Sequence, residues 1–371
     1  MRAPYAVAAC AGVALLAAAP PVSSHNPITT TVVFNREVAA ILNQKCSQCH
    51  VADGMAMPLQ TYADVRPWAV AIKEEILARR MPPWPAERGY GTFANDAGLT
   101  QREQEFLISW IDGGVPPGAG EPPAHVDHSG HWMLGQPDLL HTGAAARGAA
   151  PAPGYTRFVV DPGLRTDTWI RAIDFKPADR RAIRAAFFSV AATGPSTSLG
   201  AGQYLGGWTP THASTEFPDG AAVRLPAKAT IAVDVLHGAV APGVVEGPQL
   251  ALYVAKGQPR PVTTLTLTGT TRSADGRVRA AQTLATDRRL LGLRAEMTAG
   301  ATALEVKAMR PDGSVEPLLW IREYRADWPT PYVLRSPVPL PRGTRITATG
   351  FFTPDAPTPR VTISITAVSS G

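Results

Sequence analysis

Cysteine is nearly absent from this chain of 371 residues: there are three, and one of them, Cys10, lies in the apolar N-terminal stretch. The remaining pair, Cys46 and Cys49, is too few for a disulfide framework or a four-cysteine zinc site. Charge is also sparse, at 18% of residues, and no run of Lys or Arg occurs, so nucleic acid is not an expected partner. Long apolar runs are missing as well. The longest, Ala6 to Ala19, falls short of the ~20 residues a bilayer-spanning helix needs. Histidine is scarce in the C-terminal part, where only His212 and His237 follow His141.

What is present divides unevenly. Residues 1–24 read as an export signal: Met1-Arg2 is positive, Ala6 to Ala19 is small and apolar, and Val22-Ser23-Ser24 offers a cleavage site before His25. Cys10 sits too early to serve as a lipidation site, and the alternative is an uncleaved membrane anchor. Export predicts a periplasmic or other extracytoplasmic location, with no stable span once the signal is removed. From Thr31 to Pro117 there are eight Lys/Arg against ten Asp/Glu, while the rest of the chain carries the excess behind its net +5. Hydrophobic residues reach 45%, enough for sizeable cores, and 36 Pro with 33 Gly, unperiodic, predict many short connections.

The most specific signal is Cys46-Ser47-Gln48-Cys49-His50. In a Cys-x-x-Cys-His run two thioethers hold a haem and the adjoining imidazole meets the iron, because one helical turn sets all three groups along a porphyrin edge. An amphipathic helix from Phe34 to Leu42 leads into it, with Val38, Ile41 and Leu42 on one face. A thioredoxin-like pair lacks its strand-helix context, and a zinc half-site lacks its second cysteine pair. Residues 31–118 thus predict a small all-α domain with one covalent haem c on Cys46 and Cys49 and His50 as the proximal ligand. The candidates for the distal position are Met55, Met57 and Met81. Met81 opens Met81-Pro82-Pro83-Trp84 after a helix expected over Ala69 to Arg80, where proline stiffens the loop; Met57 is the runner-up. A third helix begins at Thr100, whose pairing with Glu103 is a capping box, and its apolar face is Phe106, Leu107, Trp110 and Ile111.

Residues 119–153 are rich in Ala, Gly and Pro and read as a linker. His125, His128 and His131 recur there at every third position; a metal site and a solvated spacer are both open readings. Beyond Tyr155 short alternating runs bounded by Gly, Pro and Asp predict a pair of antiparallel β-sandwiches, 154–257 and 258–371. Expected strands include Tyr155 to Val160, Ala229 to Val235, Gln249 to Val254 and Arg345 to Thr349.

Phe34 to Pro117 resembles the cytochrome c domain found at the N-terminus of certain bacterial two-part proteins. The resemblance rests on the haem motif, Thr61-Tyr62-Ala63-Asp64-Val65-Arg66-Pro67-Trp68, Arg80-Met81-Pro82-Pro83-Trp84 and Trp110-Ile111-Asp112-Gly113-Gly114. The second part of those proteins is similar to copper type II, ascorbate-dependent monooxygenases, the family of peptidylglycine α-hydroxylating and dopamine β-monooxygenases. Here Gly207-Trp208-Thr209-Pro210, Phe217-Pro218-Asp219-Gly220, Pro317-Leu318-Leu319-Trp320 and Leu340-Pro341-Arg342-Gly343-Thr344-Arg345 carry that likeness.

The resemblance implies a copper pair held by five imidazoles and a methionine. Where the adjacent His pair would fall the chain reads Asp179-Arg180-Arg181-Ala182-Ile183-Arg184-Ala185-Ala186, and where the His-x-His pair would fall it reads Leu293-Arg294-Ala295-Glu296-Met297-Thr298. Two histidines cannot supply five, and guanidinium has the wrong sign for a copper shell. The expectation is an electron-transfer cytochrome without copper, its β-domains a docking or binding scaffold for a periplasmic redox partner protein. The alternative is a haem-fed copper-dependent or other oxidoreductase or monooxygenase acting in the β-domains.

Overall fold

The computed structural model describes residues 29–125, 131–146, 152–191, 202–238 and 247–369. The expected signal at 1–24 and His128 lie outside the described residues. No described helix is long and apolar enough to cross a membrane.

The chain is mostly β, with few helices, and its β part is built as sandwiches. The helices come first. A π-helical turn, Phe34–Val38, runs straight into Ala39–Lys45. Tyr62–Val65 and Gln101–Asp112 each start from a capping box, Thr61 with Asp64 and Thr100 with Glu103; the first of these was not read from the sequence. Between them Ala69–Leu77 stops three residues short of the expected Arg80, because Arg79 takes a positive φ of 56° that breaks the helical path. These helices share one core, centred on Phe34, Leu42, Val65, Leu107 and Trp110. Its polar atoms are satisfied: Trp110 Nε1 donates to Pro116 O at 3.0 Å and the Tyr62 hydroxyl to Val115 O at 2.9 Å.

Among the described residues the β part has two large cores and three sheets. A five-stranded sheet joins Ala144–Ala145, Tyr155–Val160, Ile231–His237, Ile183–Val190 and Tyr204–Trp208. A four-stranded sheet joins Val278–Thr283, Arg345–Phe352, Ala301–Met309 and Val315–Ile321. Both pack on one nine-stranded sheet that runs through the whole β part. The expected boundary at residue 257 falls in a turn at Gly257, but Arg260–Gly269 then pairs with Ala221–Leu225 on one side and Val361–Ser369 on the other. The pairing with Ala221–Leu225 is parallel, a local departure from the antiparallel scheme. Hydrogen bonding therefore fuses the two sandwiches.

Strand Ile231–His237 shows why the pattern reads as nearly continuous. Ile231, Val233 and Val235 enter the first core, while on the opposite face Leu236 packs with Ala185, Phe187 and Tyr204. Asp234 on that second face is 1% exposed and survives there because Arg157 clamps it with two bonds, Nε to Oδ1 at 2.6 Å and Nη2 to Oδ2 at 2.9 Å.

Two segments depart from the sequence reading. The expected linker contributes strands: Leu139–Thr142 pairs with Gln249–Val254 and Ala144–Ala145 with Tyr155–Val160. In addition, the stretch between the helices Ala69–Leu77 and Gln101–Asp112 leaves the helical core and lies along the second sandwich. Glu87 N donates to Trp320 O at 2.8 Å, and Ala94 N to Val333 O at 2.8 Å. Asn95 closes a two-bond clamp on Pro331 O and Val333 N, and Phe93, 4% exposed, joins the second core beside Trp84 and Tyr332.

Candidate functional site

The site begins where Ala39–Lys45 ends. Cys46 N still donates to Leu42 O at 2.9 Å, and Cys49 N and His50 N both return to Cys46 O, at 3.1 and 3.0 Å. That tight turn brings both sulfurs and the imidazole to one cleft. The loop that follows folds back hard on it: a Cβ at Gly54 would stand 2.2 Å from Cys49 O, so only glycine fits there.

Cys46 and Cys49 are not joined to each other. Burial pushes both thiols up to about 12, which keeps them protonated and slow to attack or oxidise. His50 Nδ1 lies 2.8 Å from Met57 O, an arrangement that puts the proton on Nδ1 and leaves Nε2 as the free donor atom. Burial holds this imidazole below its ordinary value, hence neutral.

The cleft has a volume of about 230 Å³ and is lined by Cys46, Cys49 and His50 on one wall, with Leu59, Ile72 and Leu107 as apolar floor. Met55, Met57 and Met81 all border it, so the structure brings the three candidate thioethers together with the motif. Met57 and Met81 are exposed to the same degree, 40% and 39%, so exposure does not choose between them. Two free thiols, a neutral imidazole with its far nitrogen occupied, and thioethers around an apolar slot fit a haem held by two thioether bonds and an axial His. Among the described residues no group of three or more His, Cys, Asp or Glu could hold an ion.

The opposite wall belongs to the β part, a feature the sequence reading missed. Arg181, Arg184, Thr211, Gly238 and Trp328 line the same cleft. The loop before Ile183–Val190 is fixed by Asp179, which takes Arg181 N at 2.9 Å and the Arg181 guanidinium at 3.0 Å. Arg184 reaches Asp327 of the second sandwich at 3.5 Å and stands 5.7 Å over the Trp328 ring.

A second, larger cleft of about 1000 Å³ lies beside the first and shares Lys45, Met55 and Thr211 with its lining. His125 and His131 border it, as do Asp174 and Trp208. The positions at which the resemblance would put copper ligands are filled by ion pairs. Arg294 is 4% exposed, stacked 4.0 Å over Phe187 and 3.4 Å from Glu296. The two remaining histidines lie apart from the cleft's motif wall: His237 Nε2 is 2.9 Å from Thr156 Oγ1, and burial pushes His212 down to about 4.

No family model matches the chain, and no curated protein matches it in sequence. Among solved structures it is similar to the major capsid protein P2 of bacteriophage PM2, at 11% identity over 63% of this chain and 97% of that one, with a TM-score of 0.28. It is similar also to allantoicase of Saccharomyces cerevisiae, at 9% identity over 60% and 80% with a TM-score of 0.20. A third is a fucolectin of striped bass, Morone saxatilis, at 8% over 58% and 82%, TM-score 0.20. At these TM-scores the likenesses carry no argument about function.

Proposed function

We propose that this chain is an exported, periplasmic c-type cytochrome that passes single electrons through one covalent haem, with its β part as a scaffold that houses the haem domain and meets a redox partner protein. The observation that supports this best is the gathering of Cys46, Cys49, His50 and Met81 around one apolar cleft. Cys46 and Cys49 would form the thioethers and His50 Nε2 the proximal bond. Met81 is the preferred distal donor over Met57. The Met57 carbonyl accepts from Nδ1, so its backbone stands behind the imidazole, on the side away from an iron at Nε2. A haem bound there supplies a one-electron couple, and His/Met ligation leaves no open coordination position. The protein's own contribution is to keep the thiols protonated until attachment, to hold the imidazole neutral and to line the slot with apolar side chains.

A second reading, in which the haem serves chemistry in the β part, is favoured by the large cleft that shares Lys45, Met55 and Thr211 with the haem slot. The ion pairs Arg294–Glu296 and Arg181–Asp179, at the positions where the resemblance would put copper ligands, support the reading without copper.

Haem staining on a denaturing gel tests the first reading. A band at the mature mass, lost in Cys46→Ala/Cys49→Ala, together with about one iron per chain and no stoichiometric copper, is the expected result. Haem that extracts into acidified ketone refutes covalent attachment, and stoichiometric copper with ascorbate-dependent oxygen uptake refutes the scaffold role.

A further inference from the structure

We propose that the outward face of the helix Ala69–Leu77 is the contact through which two copies of this chain meet briefly and pass an electron from one haem site to the other. The inference rests on the haem reading above and names a second copy as the occupant of a face which that reading leaves unused.

The argument starts from the helix. Ala71, Ile72, Glu75 and Ile76 line the slot. Val70, Glu74 and Leu77, spaced four and three residues apart, share the opposite stripe and stand exposed. Val70 is 67% and Leu77 54% exposed, and Trp68, 46% exposed, closes the turn before the helix. Large apolar side chains gathered at a surface mark a place of contact. An α-helix with its side chains is about 10 Å thick, so a molecule seated on this face lies one helix away from the slot.

Charge then names the occupant. Three basic groups on the helix and the turn after it are already held by carboxylates of the same chain: Lys73 by Asp112 at 2.5 Å, Arg79 by Glu87 at 2.9 Å and Arg80 by Glu75 at 2.8 Å. Such a face has no block of one sign to draw an anionic bilayer or a strongly charged protein. Arg66 lies in the turn before Val70 and Glu74 in the turn after it, both exposed. Two copies of the helix laid antiparallel about Val70 therefore set each Arg66 beside Glu74 of the other copy, with the apolar side chains between them. The face is complementary to itself, as a two-fold contact requires. One pair of short helices buries less than the roughly 1,200 Å² of a lasting complex, which is the size of a weak redox encounter. The step is an exchange: the reduced copy loses one electron, the oxidised copy gains it, and no bond or proton moves.

Amide shifts of the full chain, followed by NMR from dilute to concentrated solution, give the first readout and need no haem. The amides from Arg66 to Leu77 are expected to move with concentration, and Arg66→Glu, Glu74→Arg and Leu77→Glu should each remove the movement. The double change Arg66→Glu/Glu74→Arg should restore it, because the pairing is only reversed; a merely structural role predicts no such rescue. Electron self-exchange, read from line broadening in half-reduced haem-loaded samples, should slow roughly tenfold or more in Arg66→Glu and in Glu74→Arg, where like charges meet, and recover in the double change. Shifts that do not depend on concentration, or a double variant no better than the single ones, overturn the proposal. Wild-type chain that pellets with phosphatidylcholine vesicles, and loses this in Leu77→Glu, overturns it in favour of a lipid surface. Covalent haem on the gel without contact between copies refutes this inference alone, whereas contact without haem refutes the haem reading and the electron step that rests on it.

Discussion

Acid should weaken this protein at His212, whose imidazole is the one pushed down furthest by burial. His212 lies in a tight turn after Tyr204–Trp208, in which Thr209 N and His212 N each donate to the other's carbonyl, at 3.0 and 2.9 Å. The residue is half-buried, but its Nε2 is sealed from solvent and has no hydrogen-bond partner. Burial pushes it down to about 4, against about 6.5 for a free imidazole. The sign follows from proton counts. Below pH 6.5 the unfolded chain binds a proton at His212 that the folded chain refuses until pH 4, so stability falls with pH across that window and levels off below it. At about 1.4 kcal/mol per unit the loss is at most about 3 kcal/mol, a large share of a domain's stability. His212→Gln removes the titration. Urea melts of both proteins at several pH values between 7 and 4 should agree in slope and diverge in midpoint, with the wild type losing ground as pH falls. Identical pH profiles, or an imidazole that titrates near 6.5 by NMR, would refute the reasoning.

Met81→Ala should abolish the weak charge-transfer band that a thioether gives ferric haem and lower the potential, while Met57→Ala keeps the band; the visible spectrum checks both. Phe93→Ala removes a 4% exposed ring from the second core and should cost about 3–5 kcal/mol in a chemical melt. Asp234→Ala removes the buried carboxylate that accepts the Arg157 Nε and Nη2 bonds and should cost about 3 kcal/mol in a chemical melt.

The elements that depend on nearest neighbours were legible in the sequence. Cys46 to His50 forms its turn because the cap on Ala39–Lys45 is local, and Thr100 with Glu103 announces its helix for the same reason. Strands Tyr155–Val160 and Gln249–Val254 fall where alternation put them. What escaped depends on distant partners. Leu139–Thr142 sits in a segment of linker composition and becomes a strand only because Gln249–Val254 offers an unpaired edge. Trp84 and Phe93 looked like parts of a small helical domain, yet their rings complete a core more than 200 residues away in sequence. Arg181 and Arg184 were read only as histidines missing from a copper shell. Nothing within a few residues of them shows that they face Cys49 and His50.

That last placement changes what the β part has to explain. A scaffold that only displayed a cytochrome would need one attachment, and the clamp of Asn95 on Pro331 and Val333, with Phe93 and Trp84 behind it, already supplies one. The same connection also sets the helical unit's orientation, because Glu87 is bonded to Trp320 O through its backbone and to Arg79 and Arg322 through its carboxylate. With orientation fixed there, the first sandwich is free to vary what it presents at the slot. It presents a loop stapled by Asp179 and a guanidinium shared with Asp327, two constraints that a solvent-facing turn has no need of. In the proposed electron-transfer reading, stiffness in such a wall would lower the reorganisation that each transfer requires, because its charges would not move with the oxidation state. The fused nine-stranded sheet makes the strands before the Gly257 turn and those after it one hydrogen-bonded body, and the Arg184–Asp327 ion pair adds a side-chain link between the two sandwiches.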